Sequence, residues 1–223
     1  MISNPTIDVV IPVRDLDKYL EQSINSVLEQ ESVNCNVIVV DAGSLNPIKL
    51  PATIAQNARV QIVRSESPLT AGGARNLGLT YTQSAYIGFL DGDDIWPNGR
   101  CKAMLLELQN GEALLVLGRI ENFHSDILSK KLALGENGKP AFAAGGILFK
   151  RQLLDQIGFF NNQMTVGEFI DWFQRIVTAE IPYKTVDAVA LRRRVHIESA
   201  SAKQINNRLD YLKVVRTWMQ QKD

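Results

Sequence analysis

Through the first hundred residues, short apolar runs alternate with segments whose apolar positions recur at helical spacing. "TIDVVIPV" (6–13), "NVIVVDAGS" (36–44), "VQIVRS" (60–65) and "AYIGFLD" (85–91) have the length and composition of strands, and polar or turn-forming residues follow them. Between them, "YLEQSINSVLEQ" (19–30) puts Leu20, Ile24, Val27 and Leu28 on one helical face, and "TAGGARNLGLTYT" (70–82) reads as a helix capped by Thr70. Strands alternating with helices predict an α/β fold. Its central sheet is expected to be mostly parallel and flanked by helices in a three-layer αβα arrangement.

The second half is less regular. "GRCKAMLLELQN" (99–110) is helical and "EALLVLGRIENF" (112–123) reads as a strand with an extension, while 125–140 is polar and glycine-containing, a loop or hairpin. Helices are expected over 150–160 and 166–179, and an extended segment over 183–196. A terminal helix over 203–220 carries Ile205, Leu209, Leu212 and Met219 on one side, suited to packing on the core or, second, to a homodimer contact.

Composition narrows the partners. The chain has 223 residues, 45% hydrophobic and 22% charged, with Lys plus Arg equal to Asp plus Glu at 24 each. No net field draws nucleic acid or an anionic membrane. No stretch approaches the roughly 20 apolar residues that span a bilayer, so no transmembrane segment is expected. Cys35 and Cys101 form neither a zinc pattern nor a disulfide framework, which points to a reducing cytoplasm.

Three strand ends carry polar signals: Pro12 to Asp15, Asp41 to Ser44, and "DGDD" at 91–94. In parallel sheets ligands bind beyond the carboxyl ends of the strands. On an extended chain Asp91 and Asp93 face the same way and could present oxygens to Mg²⁺ or Mn²⁺. The same tetrapeptide also makes a good solvated turn. "TAGGARN" has two readings as well: backbone N–H groups with Arg75 on a phosphate, or close helix-to-strand packing through Gly72 and Gly73. Its spacing fits neither a dinucleotide-binding loop nor a Walker A loop.

"VVIPVRDLDKYLEQSINSVLEQ", "VIVVDAGS", "AGGARNLGL" and "YIGFLDGDDIW" occur in that order. Together they resemble the family 2 glycosyltransferases of the GT-A fold, over residues 6 to about 100 and, more loosely, 144 to 198. The resemblance implies one GT-A domain, with a nucleotide-binding half (1–98), an acceptor-side half (99–198) and a C-terminal helix (199–223). It implies a nucleotide-diphospho-sugar donor, a UDP-sugar, and a glycan, lipid-linked or peptide acceptor. Pro12, Val13 and Arg14 match the loop that contacts the nucleotide. Asp41 matches the acid on the base, and Gly73 and Arg75 the segment closing over the nucleotide. Asp91, Gly92 and Asp93 match the D-x-D signature that binds ribose and, through Mg²⁺ or Mn²⁺, diphosphate. "LRRRVH" resembles a segment whose His, here His196, completes the metal shell.

Departures bear on catalysis. Ala42 replaces the second Asp of V-D-D-G-S, and Arg14 an aromatic residue. "VGEFIDWFQRI" resembles G-E-D-x-D-L-W-L-R, in which the Asp after Glu serves as base; that position is Phe169 here. Glu168 and Asp171 remain, three apart on one helical face, and either could activate an acceptor for inverting transfer. The alternative is an impaired sugar-nucleotide-binding or scaffold module of the same fold.

Overall fold

The structure, a computed structural model, describes residues 4–15, 18–125, 130 and 134–196. The expected helix over 203–220 and much of the expected loop or hairpin at 125–140 lie outside the described residues. In chain order the elements are β1 (Thr6–Val13), α1 (Leu20–Leu28), β2 (Asn34–Asp41), α2 (Ala52–Ala55), β3 (Val60–Arg64), α3 (Ala71–Leu79) and β4 (Tyr86–Phe89). There follow α4 (Arg100–Asn110), β5 (Leu115–His124), a 3-10 turn (Ala144–Gly146), β6 (Ile147–Lys150), α5 (Leu153–Ile157), α6 (Glu168–Thr178) and β7 (Tyr183–Val195).

The described strands form a seven-stranded sheet in the order β3-β2-β1-β4-β6-β5-β7. Only β6 runs against its neighbours, pairing antiparallel with β4 and β5. Alternation along β1 sends Ile7, Val9, Ile11 and Val13 to one face, where they meet Leu20, Ile24 and Val27 of α1 and Met104, Leu105 and Leu108 of α4. Val10 points to the other face, among Ala74 and Leu79 of α3 and Phe169, Trp172 and Ile176 of α6. Helices therefore cover both faces, as the alternating pattern predicts.

The expected helix over 150–160 forms in part, and a strand not expected from the sequence precedes it. Ile147, Leu148 and Phe149 are fully buried, and Leu148 pairs with Gly88 of β4 and Val116 of β5, so the run becomes an inner strand. Three apolar residues and a lysine are too few to reveal a period. The helix starts only at Leu153 and stops at Gly158, whose φ of 70° suits glycine.

Gly78 sets the approach of α3 to the sheet. A Cβ there would lie 2.2 Å from Val10 Cγ1 and 3.0 Å from Val40 Cγ2. Helix propensity alone favours alanine at this position by about 1 kcal/mol. Gly78→Ala should nevertheless destabilise the protein by about 1–3 kcal/mol, because overpacking a closed core outweighs propensity. Thermal melts check it: Tm should fall by several degrees, and an unchanged or higher Tm contradicts this packing.

Candidate active site

The loops after β1 and β2 are stitched to each other. Asp15 N donates to Ser44 Oγ (3.0 Å), and Leu45 N donates to Asp15 Oδ1 (2.8 Å). Pro12 is half-buried, Val13 buried and Arg14 exposed beside Asp15. Asp41 is almost fully buried, and its own loop uses it: Ser44 N (2.9 Å) and Ile48 N (3.1 Å) donate to it, and Arg64 forms an ion pair with it. Burial pushes this carboxyl up, but the hydrogen bonds from Ser44 and Ile48, with that from Arg64, outweigh burial and hold it below the usual range.

The 91–94 segment is a turn rather than an extended run, closed by Asp94 N donating to Asp91 O (3.0 Å). Its three carboxylates go to different partners. Asp91 Oδ1 pairs with Arg75 Nη2 at 2.6 Å, and Asp93 Oδ2 lies 2.9 Å from His196 Nε2. Asp94 is buried and accepts from the Arg194 backbone N–H (2.7 Å). Burial, and next to it the neighbouring Asp93 and Asp91, push the Asp94 carboxyl well above the ordinary range.

The end of β7 holds this turn in place. Ile95 and Arg192 exchange both backbone hydrogen bonds (3.0 and 2.9 Å). Arg194 Nε donates to the Asp93 carbonyl (2.7 Å) and Nη2 to Gln22 Oε1 (2.6 Å), while its guanidinium lies over Tyr19, 4.2 Å from the ring centre. His196 meets Tyr19 edge-on at 5.1 Å and is 2% exposed; its Nδ1 has no hydrogen-bond partner among the described residues. From α1, the Ser23 hydroxyl donates to the Asp94 carbonyl (2.7 Å).

The first turn of α3 seats the start of α6. Thr70 caps α3 by accepting from Gly73 N (3.0 Å), and its hydroxyl donates to Asn162 O (2.9 Å). Asn76 clamps the Phe160 backbone in both directions, donating to its carbonyl (2.8 Å) and accepting from its N–H (2.9 Å). A Cβ on Gly72 would lie 3.1 Å from Asn161 O and 3.4 Å from Glu168 Cβ. Arg75, 4% exposed, completes the join by donating from Nη1 to Glu168 Oε1 at 2.7 Å. Burial alone would lower this guanidinium's pKa, but Asp91 and Glu168 outweigh it and keep the charge on Arg75.

The sequence profile described as Glycosyl transferase family 2 matches residues 8–168, well over half of the chain. The chain belongs to this family. Among curated relatives, the glycosyltransferase GlyG of Streptococcus pneumoniae is 29% identical over 119 residues, covering 52% of this chain and 40% of that protein. The Escherichia coli UDP-Glc:alpha-D-GlcNAc-diphosphoundecaprenol beta-1,3-glucosyltransferase WfgD is 25% identical over 125 residues, covering 56% and 49%. The chain thus spans half or less of the length of these relatives. Among solved structures, S. aureus TarS 1-349 in complex with UDP-GlcNAc superposes with a TM-score of 0.72 at 14% identity, over 86% of this chain and 59% of that one. The likeness shows the GT-A glycosyltransferase fold.

Within this family 2 scaffold, Asp91 and Asp93 of the turn meet Arg75 of α3 and His196 just after β7, and Glu168 of α6 joins them through Arg75. Asp171 points elsewhere: it pairs with Arg175 one turn along α6 (3.3 Å). Phe169 is 7% exposed and packs on Phe173 and Trp172 in the core. Gly92 lies against the first loop, where a Cβ would sit 3.4 Å from Val13 Cβ. Among the described residues no three His, Cys, Asp or Glu side chains form a ready metal site. Asp93 and His196 still fit a cation: each offers a donor atom on one side of the turn, and hard cations commonly take their remaining ligands from phosphates and water. No helix among the described residues is long and apolar enough to cross a membrane.

Sequence reasoning missed Ser23, Asn76 and the clamp formed by Arg194. Asn76 directly follows Arg75, so its helical position was readable, but its backbone partner lies 84 residues away. Arg194 holds the turn through its backbone N–H, its guanidinium hydrogen bonds and stacking, with partners about 100 and 172 residues away in the chain.

Asp41 has a testable pH signature. Its folded pKa lies below the ordinary value of about 3.9. Its stabilisation is therefore complete above that value and is lost as pH falls through the depressed folded value. Asp41→Asn should cost about 2 kcal/mol at pH 7, and its deficit against the parent should shrink below about pH 4. Denaturant melts across pH 3 to 7 check this; a deficit that stays constant contradicts the assignment.

Proposed function

We propose that this chain transfers a sugar from a UDP-sugar to an acceptor hydroxyl on a glycan, lipid-linked carrier or peptide, with inversion and with Mg²⁺ or Mn²⁺. The observation that carries the reading is the pair of contacts made by Arg75. Through them the exposed donor-side carboxylate of Asp91 is tied to Glu168 at the start of α6. The UDP-Glc donor in the name of WfgD and the UDP-GlcNAc bound by TarS support a UDP-sugar as donor. The two free, buried cysteines are consistent with work in a reducing cytoplasm.

Glu168 is the base in this reading. Its Oε1 is committed to Arg75, leaving Oε2 to accept a proton. The acceptor oxygen bonds to the anomeric carbon as its proton passes to Glu168. The bond from that carbon to the diphosphate breaks, and its electron pair leaves on phosphate. Pro12, Val13 and Arg14 with the Asp41 loop hold the nucleotide, and Gly73 and Gly92 let backbone approach it. Asp93 and His196, with Asp91, would hold the cation, which would supply positive charge against the departing UDP.

Phe169 favours a second reading. At the position the family resemblance gives to the base, the chain has an aromatic ring buried in the core. A module that binds the sugar nucleotide without turning it over would tolerate this.

Two variants separate the readings. Asp93→Ala should abolish Mn²⁺-dependent UDP binding in calorimetry while the melting curve stays cooperative; unchanged affinity contradicts the metal assignment. Glu168→Gln should lower UDP release from a UDP-sugar by about 10²–10⁴-fold. Tight UDP binding with no turnover in the parent supports the binding module.

A further inference from the structure

Arg75 bonds two carboxylates that are distant in sequence, one 16 and the other 93 residues away. Each terminal nitrogen is committed, Nη2 to Asp91 and Nη1 to Glu168, and Nε has no partner among the described residues. The guanidinium also lies 5.8 Å from the centre of the Phe160 ring. Turning it toward a donor phosphate would strand a carboxylate beside it. The two carboxylates differ in access. The Asp91 side chain is 45% exposed, whereas that of Glu168 is 14% exposed. The seat beneath is fixed by the Thr70, Gly72 and Asn76 contacts, so the guanidinium has little room to follow one partner away from the other.

From this arrangement we infer that Arg75 is a positioning residue that holds Glu168 in register with Asp91 and couples occupancy of the donor lip to the Glu168 carboxylate. The inference rests on the transferase reading above. When the charge of Asp91 is shared with a bound donor and cation, the pull of Arg75 falls more fully on Glu168. Linkage requires the reverse as well: neutralising Glu168 leaves Arg75 to Asp91 alone, which competes with the donor. A lysine cannot serve both carboxylates, because a single ammonium lacks the two-sided fork of a guanidinium.

Calorimetric titration with UDP and Mn²⁺ tests this in four proteins: the parent, Glu168→Gln, Arg75→Lys and the double variant. Glu168→Gln should weaken UDP binding about fivefold in the parent background and by less than about twofold in the Arg75→Lys background. Equal effects in both backgrounds, or no effect in either, overturn the inference. Should the lysine variant fail to fold, Glu168→Asp decides, since it keeps the charge and shortens the reach. Weakening like that of Glu168→Gln supports the inference, and parent-like affinity overturns it. If the parent binds no UDP at all, the transferase reading fails and the inference with it. If the parent binds UDP and Glu168 has no influence, only the inference fails.

Discussion

Three carboxylates in four consecutive residues repel one another, and the candidate site depends on how that repulsion is answered. Each is drawn to a different partner: Asp91 to the Arg75 guanidinium, Asp93 to the His196 ring, and Asp94 to the backbone N–H of Arg194. The partners come from α3 and from the end of β7, so the acidic turn can form only when both elements are docked. Charge balance here is also a device for bringing separate stretches of chain to one point.

The two sides of the turn differ in chemistry. On one side, His196 and Asp93 make a compact nitrogen and oxygen pair, backed by Tyr19 and by Arg194. On the other side, Asp91 is half exposed and leads through Arg75 to Glu168. In the proposed reading the first side, with Asp91, would hold the cation and diphosphate, and Glu168 at the far end of the second would serve as the base. α3 and its cap support the loop before α6 through Thr70 and Asn76, so the start of α6 is seated on the helix that carries Arg75.

The four strands β1 to β4 and helices α1 and α3 were readable because each apolar run is long enough to show its period and ends in polar or turn residues, whereas the four-residue α2 is too short to show one. β6 was not, since "ILFK" has no visible period and becomes a strand only through pairing on both edges. Asp91, Asp93, Glu168 and His196 stood out by residue type and motif. The identity of their partners did not, because contacts across 93 or 103 residues leave no trace in local spacing. The glycine pair in "TAGGARN" illustrates this. The sequence suggested strand packing or phosphate binding; Gly72 instead makes room for Asn161 and Glu168, and strand packing falls to Gly78.

A crystal of the protein grown with UDP and MnCl₂, measured at the manganese absorption edge, reads the arrangement most directly. The account predicts an anomalous peak bonded to Asp91, Asp93 and His196 and to the diphosphate, with Arg75 beside it. UDP bound elsewhere, or a turn with no manganese and with Asp93 still paired to His196, would contradict it.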